Sequence, residues 1–168
     1  MQDHDLATAM MLLHDDLAQS FHRHQISLLD RAFERAAQEL ASYRDHLFAH
    51  ARDEEDHVLP RYRELGGDAT DAPVRLFAGE HDKLRAFVDD FVTRVDALRQ
   101  QPSDADLLVL LDREATFKNL VLHHDLRERN MLYPFLAERL GAADQRAILA
   151  ARRFAGAPAP GDRAERGI

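Results

Sequence analysis

The segment His124–Pro134, HDLRERNMLYP, decides the predicted fold because it repeats the pattern of an earlier segment, His50–Pro60, HARDEEDHVLP. Each copy reads His-x-x-x-Glu, with a proline six residues after the glutamate. In an α-helix, side chains at positions i and i+4 lie on one face, so each copy presents an imidazole and a carboxylate to the same point. Nitrogen and oxygen donors of this kind suit iron, manganese or zinc. The repeat therefore predicts two helices that share in a metal site.

A single His-x-x-x-Glu pair is more often a solvated surface contact than a metal site. Both pairs here, however, are in phase with apolar residues, which predicts that they face a core. These residues are Leu40, Tyr43 and Leu47 for the first pair, and Phe117, Val121, Met131 and Phe135 for the second. Duplication and predicted burial together favour the metal site.

Length and composition restrict the classes of protein that remain. The 168 residues suit one domain, and a chain rich in Ala, Leu, Arg, Asp and Glu favours helices over strands. A net charge of −8 argues against nucleic acid as a partner. The absence of cysteine excludes disulfides, thiolate zinc sites and iron–sulfur clusters. With no long apolar segment and no leader pattern, we expect a soluble, cytoplasmic protein without a membrane partner.

Four long segments have the apolar periodicity of bundle helices. They run over Leu6–Leu28, Phe33–Leu65, Val74–Leu98 and from Ser103 to Gly141, with turns predicted at Asp30–Ala32, Gly66–Ala72 and Pro102. Pro60 lies inside the second segment and is expected to bend its last turn or to end its regular hydrogen bonding early. We predict an all-α, antiparallel up-down-up-down four-helix bundle over residues 1–141, a short C-terminal helix over 142–155 packed on or near it, and a disordered tail over 156–168.

The rise of about 1.5 Å per residue predicts which histidines share one level of the bundle. His81 and His124 flank Pro102 almost symmetrically, and His14 matches His50 across the first turn. His24 also lies on the inward stripe, but about 15 Å nearer that turn. The predicted metal ligands are His14, His50, Glu54, His81, His124 and Glu128. Four imidazoles and two carboxylates suit two iron or manganese ions bridged by the carboxylates.

Several other residues have more than one interpretation. His24 is either a replacement ligand or, as we prefer, a core histidine one layer away. His57 forms Glu-x-x-His with Glu54, as in ferritin-like sites, but the fourth segment has no such pair. His46 pairs with His50 at i, i+4 yet lies off the stripe. Glu114 faces inward and is expected to bind either an inward histidine or Arg85, and Tyr133 is interpreted as packing.

The doubled motif, with its prolines, resembles the hemerythrin-like (HHE cation-binding) domains over roughly Met10–Leu140. In that family, His-x-x-x-Glu pairs on the second and fourth helices and single histidines on the first and third bind non-haem iron. The resemblance implies the same six ligands as above. The chain departs from the oxygen-carrying hemerythrins at Arg85, where they have a further histidine four residues after the one corresponding to His81.

Three functions follow as hypotheses. The first is a protein with two non-haem iron ions per chain that binds O2, NO or peroxide as a sensor, a store or a slow redox catalyst. The second is an iron-binding, storage or metal-responsive regulatory module without turnover. The third is a plain helical interaction domain. Manganese and zinc are less expected than iron, and the sequence leaves enzymatic activity and oligomeric state open.

Overall fold

The computed structural model describes residues 5–154, and the chain is all α-helical over this range, as predicted. The helices are α1 (Leu6–Leu29), α2 (Phe33–Asp53), α3 (Leu59–Glu64), α4 (Val74–Gln100), α5 (Asp104–Arg127), α6 (Tyr133–Arg139) and α7 (Ala142–Ala151). A short 3₁₀ turn spans Gly67–Ala69. The predicted tail over 156–168 lies outside the described residues. Within the described part, none of the helices combines the length and apolar character that a membrane span requires.

The four-helix bundle is built from neighbours in chain order. α1 packs on α2, α2 on α4, and α4 on α5, and α7 contacts α1 beyond the bundle proper. An aromatic cluster of Phe21, Tyr43, Phe91 and Phe117 fills the half of the bundle nearer the α1–α2 turn. Burying a side chain of this size stabilises the fold by about 1.5–3 kcal/mol.

The turn between α1 and α2 lies at Asp30–Ala32, as the sequence predicts, and it sets the level of the site. Arg31 adopts a positive φ of 55°, which is unusual for a residue other than glycine. The Ala32 backbone N–H then donates to the Ser27 carbonyl, which closes the turn. Because both helices rise evenly from this point, His14 and His50 arrive at the same height.

Two wide, π-helical turns join α2 to α3 and α5 to α6. They span Glu54–Val58 and Glu128–Leu132, so each begins at a glutamate of the repeated motif. The backbone N–H groups of Leu59 and Tyr133 donate to the carbonyls of these glutamates, five residues earlier. A proline lacks an N–H and clashes with the carbonyl four residues before it in an α-helix. The wide turn before each proline relieves this clash. The regular α-helical hydrogen bonding of the second predicted helix therefore ends before Pro60, as expected, and the chain continues beyond the wide turn as α3.

Candidate metal centre

The structure brings all six predicted ligands together in one buried layer. Their ring nitrogens and carboxylate oxygens form two overlapping groups that share Glu54: His14, His50 and Glu54, and Glu54, His81, His124 and Glu128. The histidines are arranged as two similar pairs. The His14 and His50 rings are 4.9 Å apart and nearly perpendicular, at 83°. The His81 and His124 rings are also 4.9 Å apart, at 74°.

Each glutamate lies between the two pairs of imidazoles. Glu54 places Oε1 3.7 Å from His50 Nε2 and Oε2 3.2 Å from His81 Nε2. Glu128 places Oε1 3.0 Å from His124 Nε2 and Oε2 3.3 Å from His14 Nε2. Both carboxylates are fully buried. Every carboxylate oxygen of this layer therefore faces a ring nitrogen, and each glutamate reaches both pairs.

Four of these atoms have no hydrogen bond although they are buried: Glu54 Oε2, His81 Nε2 and both carboxylate oxygens of Glu128. These atoms lie close to one another, but they are not aligned to form hydrogen bonds. Leaving a buried charged group without a partner costs several kcal/mol in general, about 3–5 kcal/mol when one member of a buried ion pair is lost. Cations that bind nitrogen and oxygen together would satisfy all four atoms. The donor set fits iron, manganese or zinc.

Three further carboxylates hold the imidazoles from the outside. Asp125 Oδ1 lies 2.5 Å from His14 Nδ1, Glu55 Oε1 2.9 Å from His81 Nδ1, and Glu80 Oε2 2.9 Å from His124 Nδ1. A carboxylate at Nδ1 fixes the proton there and leaves the Nε2 lone pair facing inward, as in many metal sites. His50 differs, because its buried Nδ1 has no hydrogen-bond partner.

Sequence reasoning did not identify these three carboxylates, although a simple signal marks them. Each is adjacent in sequence to a predicted ligand but binds a histidine on another helix. Glu55 follows Glu54 and binds His81. Glu80 precedes His81 and binds His124, and Asp125 follows His124 and binds His14.

Arginines anchor two of the outer carboxylates. Arg85 Nη2 lies 2.8 Å from both oxygens of Glu55, and Arg127 Nη2 lies 2.9 Å from Glu80 Oε1. The arginine at the position of the missing fifth histidine thus supports His81 through Glu55. Of the two partners expected for Glu114, an inward histidine or Arg85, the structure has the histidine, His24.

The charges of the layer attract positive charge. Burial opposes a proton on His124, but Glu128 and Glu80 outweigh burial and raise its pKa to about 10. Burial lowers the pKa of His50 to about 4, in keeping with its unpartnered Nδ1. Burial would raise the pKa of Glu128, yet His124, His81 and His14 hold it well below its usual range. Two buried carboxylates therefore draw in cations, either as protons on imidazole or as metal ions.

Tyr133 belongs to the layer, although the sequence suggested only a packing role. Its hydroxyl donates a hydrogen bond to Glu54 Oε1. Burial, together with Glu128 and Glu54, raises the tyrosine pKa well above its usual value. The hydroxyl thus keeps its proton and directs it at a carboxylate that faces both pairs of imidazoles.

The remaining histidines with alternative interpretations lie away from the layer. His24 is fully buried and binds the Ala36 carbonyl and Glu114. His46 is half-buried and stacks on Phe154, with ring centroids 4.8 Å apart. His57 is half-buried and belongs to neither group of potential ligands among the described residues.

Comparison with known proteins gives one match. A family model described as the hemerythrin HHE cation binding domain matches residues 1–136, which is most of the chain. Neither the curated proteins nor the solved structures contain a sequence or a fold that matches this chain.

Proposed function

Because the chain belongs to the hemerythrin HHE cation-binding domain family, we propose that the buried layer binds two non-haem iron ions. His14 and His50 hold one ion, His81 and His124 hold the other, and Glu54 and Glu128 bridge them. The observation that carries this proposal is the position of the two glutamates, each with one oxygen beside each pair of imidazoles. One ion would leave half of these donors unused.

The proposed centre has room for an exogenous ligand. Two imidazoles and two carboxylate oxygens per ion leave coordination positions free, as in other iron sites that bind small oxidants. All four imidazoles also line a cavity that opens between α1 and α5. An iron pair in this layer would supply binding, and slow reduction, of O2, NO or peroxide.

The protein's own groups would assist such a ligand. Asp125, Glu55 and Glu80 keep three of the imidazoles in one tautomer, and Tyr133 holds a proton beside Glu54 Oε1. Both bridging glutamates are fully buried, which strengthens their charge interactions relative to those in water.

A second candidate is a cytoplasmic iron store or metal-responsive module without turnover. It is favoured by the distribution of the donors, which lie on α1, on α4, and on α2 and α5 with the π-helical turns that follow them. Metal binding would tie these segments together, so loading would change the stability of the bundle and thereby partner binding.

Metal analysis and an optical spectrum of the purified protein test the proposal. We expect about two iron ions per chain and absorption from an oxidised, carboxylate-bridged pair. A stoichiometry of one, or a preference for manganese or zinc over iron, would contradict it. Reaction of the reduced iron form with O2 or peroxide, followed spectroscopically, separates the two candidates, because only the first expects binding of the oxidant to change the absorption spectrum.

A further inference from the structure

α1 and α5 are side by side, and the polar contacts between them in the described part of the chain lie at two levels. At one end, His14 Nδ1 binds Asp125 Oδ1 at 2.5 Å. At the other end, His24 and Gln25 bind Glu114 at 2.8 and 2.9 Å, and Lys118 donates to Gln25. Between these levels the buried rings of Phe21 and Phe117 pack on each other, with ring centroids 5.1 Å apart. The solvent-facing side of this stretch is a slit in the wall of the bundle.

A cavity of about 340 Å³ opens through this slit. Its lining extends along α1 from His14 to Gln25, eleven residues or about 16 Å of helix rise. One water molecule in the liquid takes about 30 Å³, so the space is far larger than a diatomic ligand needs. Pockets for organic ligands begin at about 300 Å³. The size and length of the slit fit an elongated organic molecule.

The inner wall of the slit is apolar, and the charges in its lining are distributed unevenly. Phe21, Tyr43, Leu47, Leu84 and Phe117 form most of the inner wall. The acidic side chains, Asp15 and Asp125, lie at the level of the imidazoles.

Two cationic side chains also line the slit, and only one of them is paired with a carboxylate. Arg85 is held by Glu55. Lys118 lies near the Gln25 end, where its ammonium group donates to Gln25 Oε1 at 3.3 Å. Among the described residues no carboxylate pairs with Lys118, so its ammonium group is available to an anion.

We propose that the slit binds a medium-chain monocarboxylate. The carboxylate lies against the Lys118 ammonium and the Gln25 amide, and the hydrocarbon chain extends along the apolar wall toward the imidazole layer. Lys118 sets this direction, because the other cation of the lining, Arg85, is already paired with Glu55. Glu114 also lies near the Gln25 end, but its two oxygens are already bonded by His24 and Gln25. The proposal goes beyond the metal centre and does not depend on its occupancy.

Calorimetric titration with octanoate tests the proposal, on protein whose metal content is measured in the same sample. We expect saturable binding of one octanoate per chain. Acetate, which carries the head without the chain, should show no comparable binding. Acetate binding as tight as that of octanoate would mean that the carboxylate binds a metal ion instead, and would overturn the proposal. Absence of octanoate binding would overturn it as well.

Two variants locate the ligand. Lys118→Met keeps the length of the side chain without its charge and should weaken octanoate binding about fivefold, the usual effect of a partly exposed ion pair. Lys83→Met, at an exposed position of α4 outside the cavity lining, is the control and should not change it. If Lys118→Met binds octanoate as the unaltered protein does, the assignment of the head group is wrong.

Ala18→Phe fills the slit from its exposed rim and should abolish octanoate binding. Ala41→Phe, exposed on α2 and outside the cavity lining, is the matched control. Circular dichroism of both variants checks that the bundle is folded. Octanoate binding that survives Ala18→Phe places the ligand elsewhere. If the protein binds octanoate but takes up no iron, this proposal stands and only the di-iron centre is contradicted.

Discussion

Two buried clusters in this bundle contain a histidine and a glutamate, and they differ in how their polar atoms are satisfied. His24 and Glu114 are both fully buried. His24 Nδ1 binds the Ala36 carbonyl at 2.8 Å, His24 Nε2 binds Glu114 Oε1 at 2.8 Å, and the Gln25 amide donates to Glu114 Oε2 at 2.9 Å. Every polar side-chain atom of this pair has a partner. We call this pair with Gln25 the closed cluster.

The layer formed by the six predicted ligands is also largely buried, but four of its inward-facing donor atoms have no hydrogen bond. Both clusters place an imidazole within contact distance of a carboxylate, so that feature does not distinguish them. The clusters differ in the number of buried polar atoms that remain without a partner after the protein's own hydrogen bonds are formed. A buried His–Glu contact alone indicates a core ion pair or hydrogen bond, whereas unsatisfied and convergent donors indicate a cation site.

The largest expected effect is the loss of both metal ions from Glu128→Ala. This variant removes the oxygens beside His14 and His124, so each half of the centre loses one of its two bridging carboxylates. Glu114→Ala is the matched variant in the closed cluster. It should keep about two iron ions per chain while losing about 1–3 kcal/mol of stability, because His24 Nε2 loses its partner. Metal analysis and chemical denaturation measure both. Full iron content in Glu128→Ala would contradict the bridging assignment.

Chelation should lower the melting temperature of the unaltered protein by about 10 °C. A ligand present at a thousandfold its Kd contributes about 4 kcal/mol, and each kcal/mol shifts the Tm of a chain of this size by about 2–4 °C. The closed cluster needs no ion, so Glu114→Ala should lose the same increment on chelation as the unaltered protein. Scanning calorimetry with and without a chelator measures this. An unchanged Tm would place the metal outside the core.

His14→Ala and His24→Ala compare the two clusters through residues on one helix. His14→Ala should lose or perturb one metal ion and change the absorption spectrum, because Nε2 of His14 lies 2.9 Å from Nε2 of His50 and 3.3 Å from Glu128. His24→Ala should leave both ions in place and lower only the stability, since it leaves Glu114 buried without one of its donors. The reverse result would exchange the functions assigned to the two clusters.

The level of His14 could be predicted from the sequence because helix rise is nearly constant. The first turn, placed at Asp30–Ala32, fixed the pairing of His14 with His50, and the structure has the turn there. The hydrogen-bond partners of His24 were harder to predict. The sequence showed that His24 and Glu114 face inward, but their contact joins residues 90 positions apart and depends on how α1 and α5 approach each other.

The wide turns and the outer carboxylates also escaped prediction, for two physical reasons. Apolar periodicity reports which face of a helix is buried, and one extra residue per turn is too small a change to detect in it. The outer carboxylates lie at the flanks of the inward stripes, where polar residues are also typical of solvated positions. Only the neighbouring helix decides that Glu55 binds His81 instead of water.

Asp125→Asn should weaken metal affinity by about 10- to 100-fold without removing a ligand, the usual effect of losing a carboxylate behind a metal-bound imidazole. Asp125 supports His14 from outside the layer, so the ion held by His14 and His50 should be released first. This ion is expected to be the weaker one already, because His50 Nδ1 has no partner. Competition with a chelator measures the affinities of the two ions. Equal weakening at both would contradict the assignment of one imidazole pair to each ion.

The sharpest test of the comparison is the exchange of each glutamate for glutamine, which in the closed cluster has the smallest expected effect. In the closed cluster, Glu114→Gln can keep every hydrogen bond: the new carbonyl oxygen accepts from the Gln25 amide, and the new amide donates to His24 Nε2. His24 then donates from Nδ1 to the Ala36 carbonyl as a neutral ring. Stability should therefore change by no more than about 1 kcal/mol, with full iron content.

Glu54→Gln, of the same shape, has no second anionic oxygen to share between two cations, and its Tyr133 contact does not supply one. It should lose most of its iron. Denaturation and metal analysis of the two variants measure the contrast, and similar iron content in both would show that the layer, like the closed cluster, is held by hydrogen bonds alone.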